Sequence, residues 1–125
     1  MADDILDLRT RIAEFAEARE WGPFHTPRNL ILALSGEVGE LAAIVQWLTD
    51  EQVERGLAAE SKTRSQLSDE MADVFIYLLR LADVCGIDVV REAFEKIDRN
   101  EYRYPQDLVR GSAVKYTELM SPVDR

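Results

Sequence analysis

Two short acidic motifs, about thirty residues apart, carry the most chemistry in this chain. Glu37 and Glu40 lie in SGEVGELAAIVQW, and Glu70 and Asp73 lie in LSDEMADVFIYLL, both within strongly apolar stretches of helical character. On an α-helix, residues three apart project from nearly the same side, so each pair forms a two-carboxylate claw. Two such helices packed face to face bring four carboxylates to one point, where they repel one another unless a cation lies between them. Hard cations such as Mg²⁺ take oxygen ligands, retain some water and share their remaining positions with substrate phosphates. The pattern therefore points to metal-dependent phosphate chemistry.

Spacing alone does not single out these pairs. With 24 acidic residues among 125, the same pattern recurs at Glu14/Glu17, Glu17/Glu20, Glu51/Glu54 and Glu92/Glu95. The flanks separate them. Glu37 shares its helical face with Ala33, Leu34, Glu40 and Leu41, and Asp73 shares its face with Asp69, Glu70, Ile76 and Tyr77, so these carboxylates lean towards a core. Glu95 instead has Arg91, Glu92, Asp98 and Arg99 as neighbours, the signature of a solvated face. Burying four carboxylates without neutralisation is costly, which favours a cation at the first two pairs. His25 is the only histidine. That count excludes a ferritin-like di-iron bundle, which needs two Glu-x-x-His motifs, and disfavours a zinc site or a histidine-based dyad.

The elements that position these residues are helical throughout. Ile5, Leu8, Ile12 and Phe15 mark a first helix over about 3–20. A turn follows at Trp21-Gly22-Pro23, and Thr26 then serves as N-cap with Pro27 at the first helical position. This second helix is predicted to run to about Leu48. The polar stretch Thr49–Thr63 reads as a connection or a frayed helix end, and the third helix spans about Arg64–Val84, with Gly86 as C-cap. Asp88 begins a fourth that extends to about Tyr102, and Pro105 forbids its continuation. The expectation is one all-α domain over 1–125, a four-helix bundle with a flexible C-terminal tail from about residue 112. Leu30 to Leu34 and Val74 to Leu79 place apolar side chains nearly all around helices two and three, so an obligate homo-oligomer is expected.

Composition narrows the partners. A formal charge of −9 and a pI near 4.6 give a field of the wrong sign for nonspecific binding to nucleic acid or anionic membrane. No apolar run approaches the length of a membrane span, and no signal peptide is discernible, so a soluble cytoplasmic protein is expected. Cys85 is the single cysteine; it reads as a small buried hydrophobe at a helix end.

The segments WGPFHTPRNLILALSGEVGELAAIVQW, DEMADVFIYLLRLAD and KIDRNEYRYP together resemble the MazG-like all-α nucleotide pyrophosphatases, most closely the dCTP pyrophosphatase branch. The family pattern of E-x-x-E, E-x-x-D, then lysine, asparagine and a basic residue before Tyr-Pro is matched by Glu37/Glu40, Glu70/Asp73, Lys96, Asn100, Arg103, Tyr104 and Pro105. The similarity extends from about Leu6 to Leu119 and includes GSAVKYTEL. It implies Mg²⁺ held by the four carboxylates, and hydrolysis of a nucleoside triphosphate, dCTP or base-modified dCTP, to the monophosphate and pyrophosphate. It also implies a homotetramer built as a dimer of dimers.

Further residues follow from the resemblance. Trp21, Phe24, His25, Trp47 and Tyr77 match positions that line the nucleobase and sugar, with Trp47 at the far end of the helix that carries Glu37. Lys96, Asn100 and Arg103, spaced four and three apart, present two cations and an amide to the triphosphate, beside Tyr104. One departure is Ile12, where some members of the branch carry a histidine nine residues before Trp21; it bears on pyrimidine selectivity. Two alternatives stand beside dCTP hydrolysis: a broad house-cleaning pyrophosphatase for non-standard or damaged triphosphates, since stacking accepts any base face, and a non-catalytic helical scaffold.

Overall fold

The computed structural model describes residues 2–113, and their regular structure is entirely helical. The order is α1 (Ala2–Ala18), a 3-10 turn (Gly22–Phe24), α2 (Pro27–Val45), α3 (Asp50–Leu57), α4 (Lys62–Cys85), α5 (Val89–Arg103) and α6 (Gln106–Val109). The all-α expectation holds, but the described residues form six α-helices rather than four. The GSAVKYTEL segment lies outside them beyond Ala113, as does most of the expected tail. The chain divides after Ile87 into two compact units.

In the first unit α4 is the central element, packed most extensively against α2 and also against α1 and α3. Leu30 of α2, Leu79 and Ala82 of α4 and Ala16 of α1 form its buried core. The helix ends follow local chemistry. The backbone N–H of Asn29 donates to Thr26 Oγ1 at 3.2 Å, which caps α2 ahead of Pro27. Gly86 ends α4 with φ +68°, and the Ile87 N–H reaches back to the Ala82 carbonyl at 2.9 Å, the αL closure that glycine adopts at least cost. Glu20 takes the same left-handed conformation after α1, at φ +54°, while the Trp21 N–H closes onto the Ala16 carbonyl at 2.9 Å.

The stretch read as a connection contains α3. Its two apolar residues of helical spacing, Val53 and Leu57, are too few to give a periodic signal, but its start is well specified. The Gln52 N–H donates to Thr49 Oγ1 at 3.2 Å and the Thr49 N–H donates to Gln52 Oε1 at 2.9 Å, a reciprocal capping box. The axis turns by 100° between α2 and α3. At the far end, Ser61 Oγ donates to the Gly56 carbonyl at 2.6 Å and Arg64 to the Leu57 carbonyl at 2.8 Å. These bonds hold α3 against the start of α4. Consequently α2 stops at Val45, and Trp47 lies in the turn beyond it rather than on the helix.

Many large apolar side chains of α2 and α4 remain exposed, among them Ile31, Leu32, Val38, Met71, Phe75 and Ile76. Cys85 is also exposed, contrary to the buried position expected of it, because it lies on the last turn of α4 away from the core face. Among the described residues, no single helix is long and apolar enough to cross a membrane. In the second unit, Asp88 caps α5 by accepting the Arg91 N–H at 3.1 Å. Pro105 precedes the short α6, and Phe94, Ile97 and Leu108 are exposed.

Candidate functional site

Helices α2 and α4 carry the acidic pairs, and their packing brings three of the four carboxylates together. Glu37, Glu70 and Asp73 each offer an oxygen, and the three oxygens lie within 4.8 Å of one another. Glu40, one turn after Glu37, is exposed and adjoins Glu37 without joining this three-way group. Glu37 and Glu70 are half-buried, and each has one oxygen, Oε2, that is buried without a hydrogen-bond partner among the described residues. Such orphaned acceptors are rare in folded proteins and call for a proton or a cation.

The electrostatics agree. Burial raises the Glu37 carboxyl to about 7, and hydrogen bonds to Glu70 and Glu40 with the charges of Glu40 and Asp73 push in the same direction. With every carboxylate ionised there is no donor among them, which leaves the oxygens unpaired. A proton on Glu37 would be shared with its neighbours. An all-oxygen, anionic set of this kind fits a hard divalent metal.

A second cluster lies where the 3-10 turn meets α1 and α4. The Phe15 and Trp21 rings meet edge to face at 5.6 Å, Trp21 and His25 are 6.1 Å apart and tilted, and the Arg19 guanidinium lies 3.5 Å above the Phe15 ring. Asn29 Nδ2 donates to the Phe24 carbonyl at 3.0 Å, fixing the turn. Arg80 Nε donates to His25 Nδ1 at 3.0 Å. The His25 imidazole has its pKa lowered, first by burial and then by the Arg80 charge. Arg80 and Arg9 in turn flank Asp83, at 3.7 and 3.8 Å.

Of the aromatic residues expected at a base pocket, the structure thus joins Trp21 and His25, with Phe24 in the same turn. Tyr77 is half-buried on α4, one turn after Asp73. Trp47 is 86% exposed and makes no ring contact among the described residues. Lys96, Asn100 and Arg103 follow one another along the last turns of α5, in the second unit, with Lys96 and Arg103 exposed and Asn100 half-buried. The Tyr104 N–H caps that helix by donating to the Asn100 carbonyl at 2.8 Å. Sequence reasoning passed over Arg80 and Asp83. The available signal was a lone cation inside the apolar run from Val74 to Ala82, in helical register with Glu70, Asp73 and Tyr77.

Two central helices that converge carboxylates with orphaned buried oxygens define an all-helical protein with a candidate divalent-metal centre. Its membership is specific: the chain belongs to the MazG-like family, whose pattern matches residues 32–119. It is 52% identical over 114 residues to dCTP pyrophosphatase 1 of Rattus norvegicus, and 49% identical over 114 residues to dCTP pyrophosphatase 1 of Homo sapiens. Both matches cover 90% of this chain and 66% of the relative, so the chain spans just under two thirds of their length. The fold is also similar to the crystal structure of a pyrophosphatase from Archaeoglobus fulgidus DSM 4304. That likeness has a TM-score of 0.73 at 35% identity and covers 83% of this chain and 92% of the other.

Proposed function

We propose that this chain is a Mg²⁺-dependent nucleoside triphosphate pyrophosphohydrolase that converts dCTP, and base-modified dCTP, to the monophosphate and pyrophosphate. The observation that carries this reading is the pair of orphaned oxygens on Glu37 and Glu70 beside Asp73, in a chain about half identical to dCTP pyrophosphatases. Glu37, Glu40, Glu70 and Asp73 would hold the metal, which supplies neutralisation of phosphate charge and a more acidic water. A carboxylate of the same set accepts the proton of the attacking water, so no side-chain nucleophile is needed. Trp21, Phe24, His25, Trp47 and Tyr77 hold the base and sugar, and Lys96, Asn100, Arg103 and Tyr104 bind the triphosphate.

The assembly we propose is a homotetramer, a dimer of dimers, in the cytoplasm, with nucleotide rather than nucleic acid or membrane as partner. The exposed apolar residues of α2 and α4 support association. A second reading, broad house-cleaning hydrolysis of non-standard triphosphates, is favoured by one observation: Ile12, half-buried on α1, supplies no polar group for a pyrimidine edge. Steady-state kcat/KM for dCTP, dUTP, dTTP and dATP with Mg²⁺, and product analysis for pyrophosphate, separates the two. A clear preference for dCTP is expected; equal values for all four establish the broad activity, and no pyrophosphate release at all leaves only a helical scaffold.

A further inference from the structure

We propose that Arg80 is a positioning residue that locks His25 in the tautomer with its proton on Nε2, so that the ring reads the nucleobase as a hydrogen-bond donor. A guanidinium has donors and no acceptor, and it stays protonated at every accessible pH. Its Nε lies 3.0 Å from His25 Nδ1, so Nδ1 must present its lone pair. The neutral ring then carries its one proton on Nε2, which has no protein partner among the described residues. Protonation of Nδ1 would break the bond and place two cations together, in line with the lowered basicity of the ring.

The surroundings hold this arrangement. The Arg80 side chain is 14% exposed and is steadied by Asp83, which also faces Arg9 of α1. The His25 backbone N–H donates to the carbonyls of Trp21 and Gly22, both at 3.1 Å, so the 3-10 turn sets the position from which the ring projects. Trp21 flanks it. Neither Arg80 nor Asp83 belongs to the carboxylate group or to the residues expected at the base.

The chemical consequence is a preference for acceptors. Both kinds of base offer an acceptor at O2, but at N3 cytosine offers an acceptor whereas uracil and thymine carry a proton, their second acceptor being O4. A donor-only imidazole facing N3 therefore favours cytosine, whereas a ring free to exchange tautomers accommodates either base. This supplies a polar determinant in a chain that has Ile12 on α1. The base-edge part rests on the reading that this chain hydrolyses pyrimidine nucleoside triphosphates; the tautomer part does not.

His25 is the only histidine, so untagged protein labelled with ¹⁵N-histidine gives a single imidazole in long-range ¹H–¹⁵N correlation spectra. The wild type should show a protonated Nε2 and an unprotonated Nδ1 at neutral pH. Arg80→Met keeps the aliphatic stem and removes the donor, and it should yield mixed tautomers. Its dCTP to dUTP ratio of kcat/KM should fall by about tenfold, the order expected for one oriented hydrogen bond, with the loss falling on KM more than on kcat. Arg80→Lys, which can still donate, should restore both in part.

A wild-type ring protonated on Nδ1, or an Arg80→Met ring that keeps the Nε2 tautomer, overturns the positioning role. An altered tautomer with an unchanged dCTP to dUTP ratio overturns the base-reading role. If the wild type hydrolyses no nucleoside triphosphate, the substrate reading and the base-edge part fall together, while the imidazole spectrum still decides the tautomer.

Discussion

At the scale of single residues, the carboxylates of α2 and α4 are in conflict until something neutralises them. Glu37, raised from an ordinary 4.5 to about 7, binds a proton more tightly in the folded protein than in the unfolded chain. Its contribution to the stability of metal-free protein is therefore full below about 4.5 and is lost as pH rises towards 7. Thermal midpoints measured in EDTA should fall over that window more steeply for the wild type than for Glu37→Gln, which has no such proton to lose. Metal binding has the opposite sign. Competition with the proton on Glu37 should weaken Mg²⁺ affinity as pH falls below about 7, as titration calorimetry at pH 6 and 8 would report. Asp73→Ala should abolish turnover with helicity by circular dichroism retained; near-wild-type activity at low Mg²⁺ would remove the residue from the site.

At the scale of elements, helix ends and one close helix approach carry the local specificity. Glu20 occupies the left-handed region after α1, at φ +54°, a conformation that costs a residue with a Cβ roughly 1–2 kcal/mol. Glu20→Gly relieves that cost and adds some unfolded-state entropy, so a net stabilisation of about 0.5–1 kcal/mol is expected in denaturant unfolding. Gly86→Ala at the end of α4 should act in the opposite sense by a similar amount, for the same reason. Gly56 lets α3 approach α4: a Cβ there would meet Thr63 Cβ at 3.0 Å. Gly56→Ala should therefore loosen α3, read as faster amide exchange in 50–57 than in the core of α2, despite the better helix propensity of alanine.

At the scale of the whole molecule, the buried core is small relative to the apolar surface that the chain carries. Only Leu30, Leu79, Ala16 and Ala82 are buried hydrophobic residues among those described, whereas Met71 is 60% and Leu32 is 55% exposed. A surface of that kind on helices apolar all round is normally covered by another chain. Sedimentation equilibrium at micromolar concentration should give an assembly larger than the 14.3 kDa chain. Phe75→Asp, placing a charge on the exposed part of α4, should shift it towards smaller species. A folded wild-type monomer would overturn the assembly.

The sequence alone determined what depends on local periodicity and local chemistry. The 3.6-residue period, Thr26 and Pro27, Gly86 and Asp88 set the long helices and most of their ends, because capping and αL closure involve residues a few positions apart. The three-residue spacing of Glu37/Glu40 and Glu70/Asp73, with apolar flanks, picked out Glu37, Glu70 and Asp73, whose oxygens the fold brings within 4.8 Å of one another, and Glu40, which is not in that group. Two kinds of feature were out of reach. Helix α3 has too few apolar residues for a period, and its capping box and contacts with α4 decide its existence. Its formation also ends α2 before Trp47. The other kind is pairing across distance: that Glu37, Glu70 and Asp73 converge more tightly than Glu40, and that Arg80 meets His25 across 55 positions. Both follow from the rotation and offset of α4 against α2 and the 3-10 turn, which side-chain packing sets and no local pattern encodes.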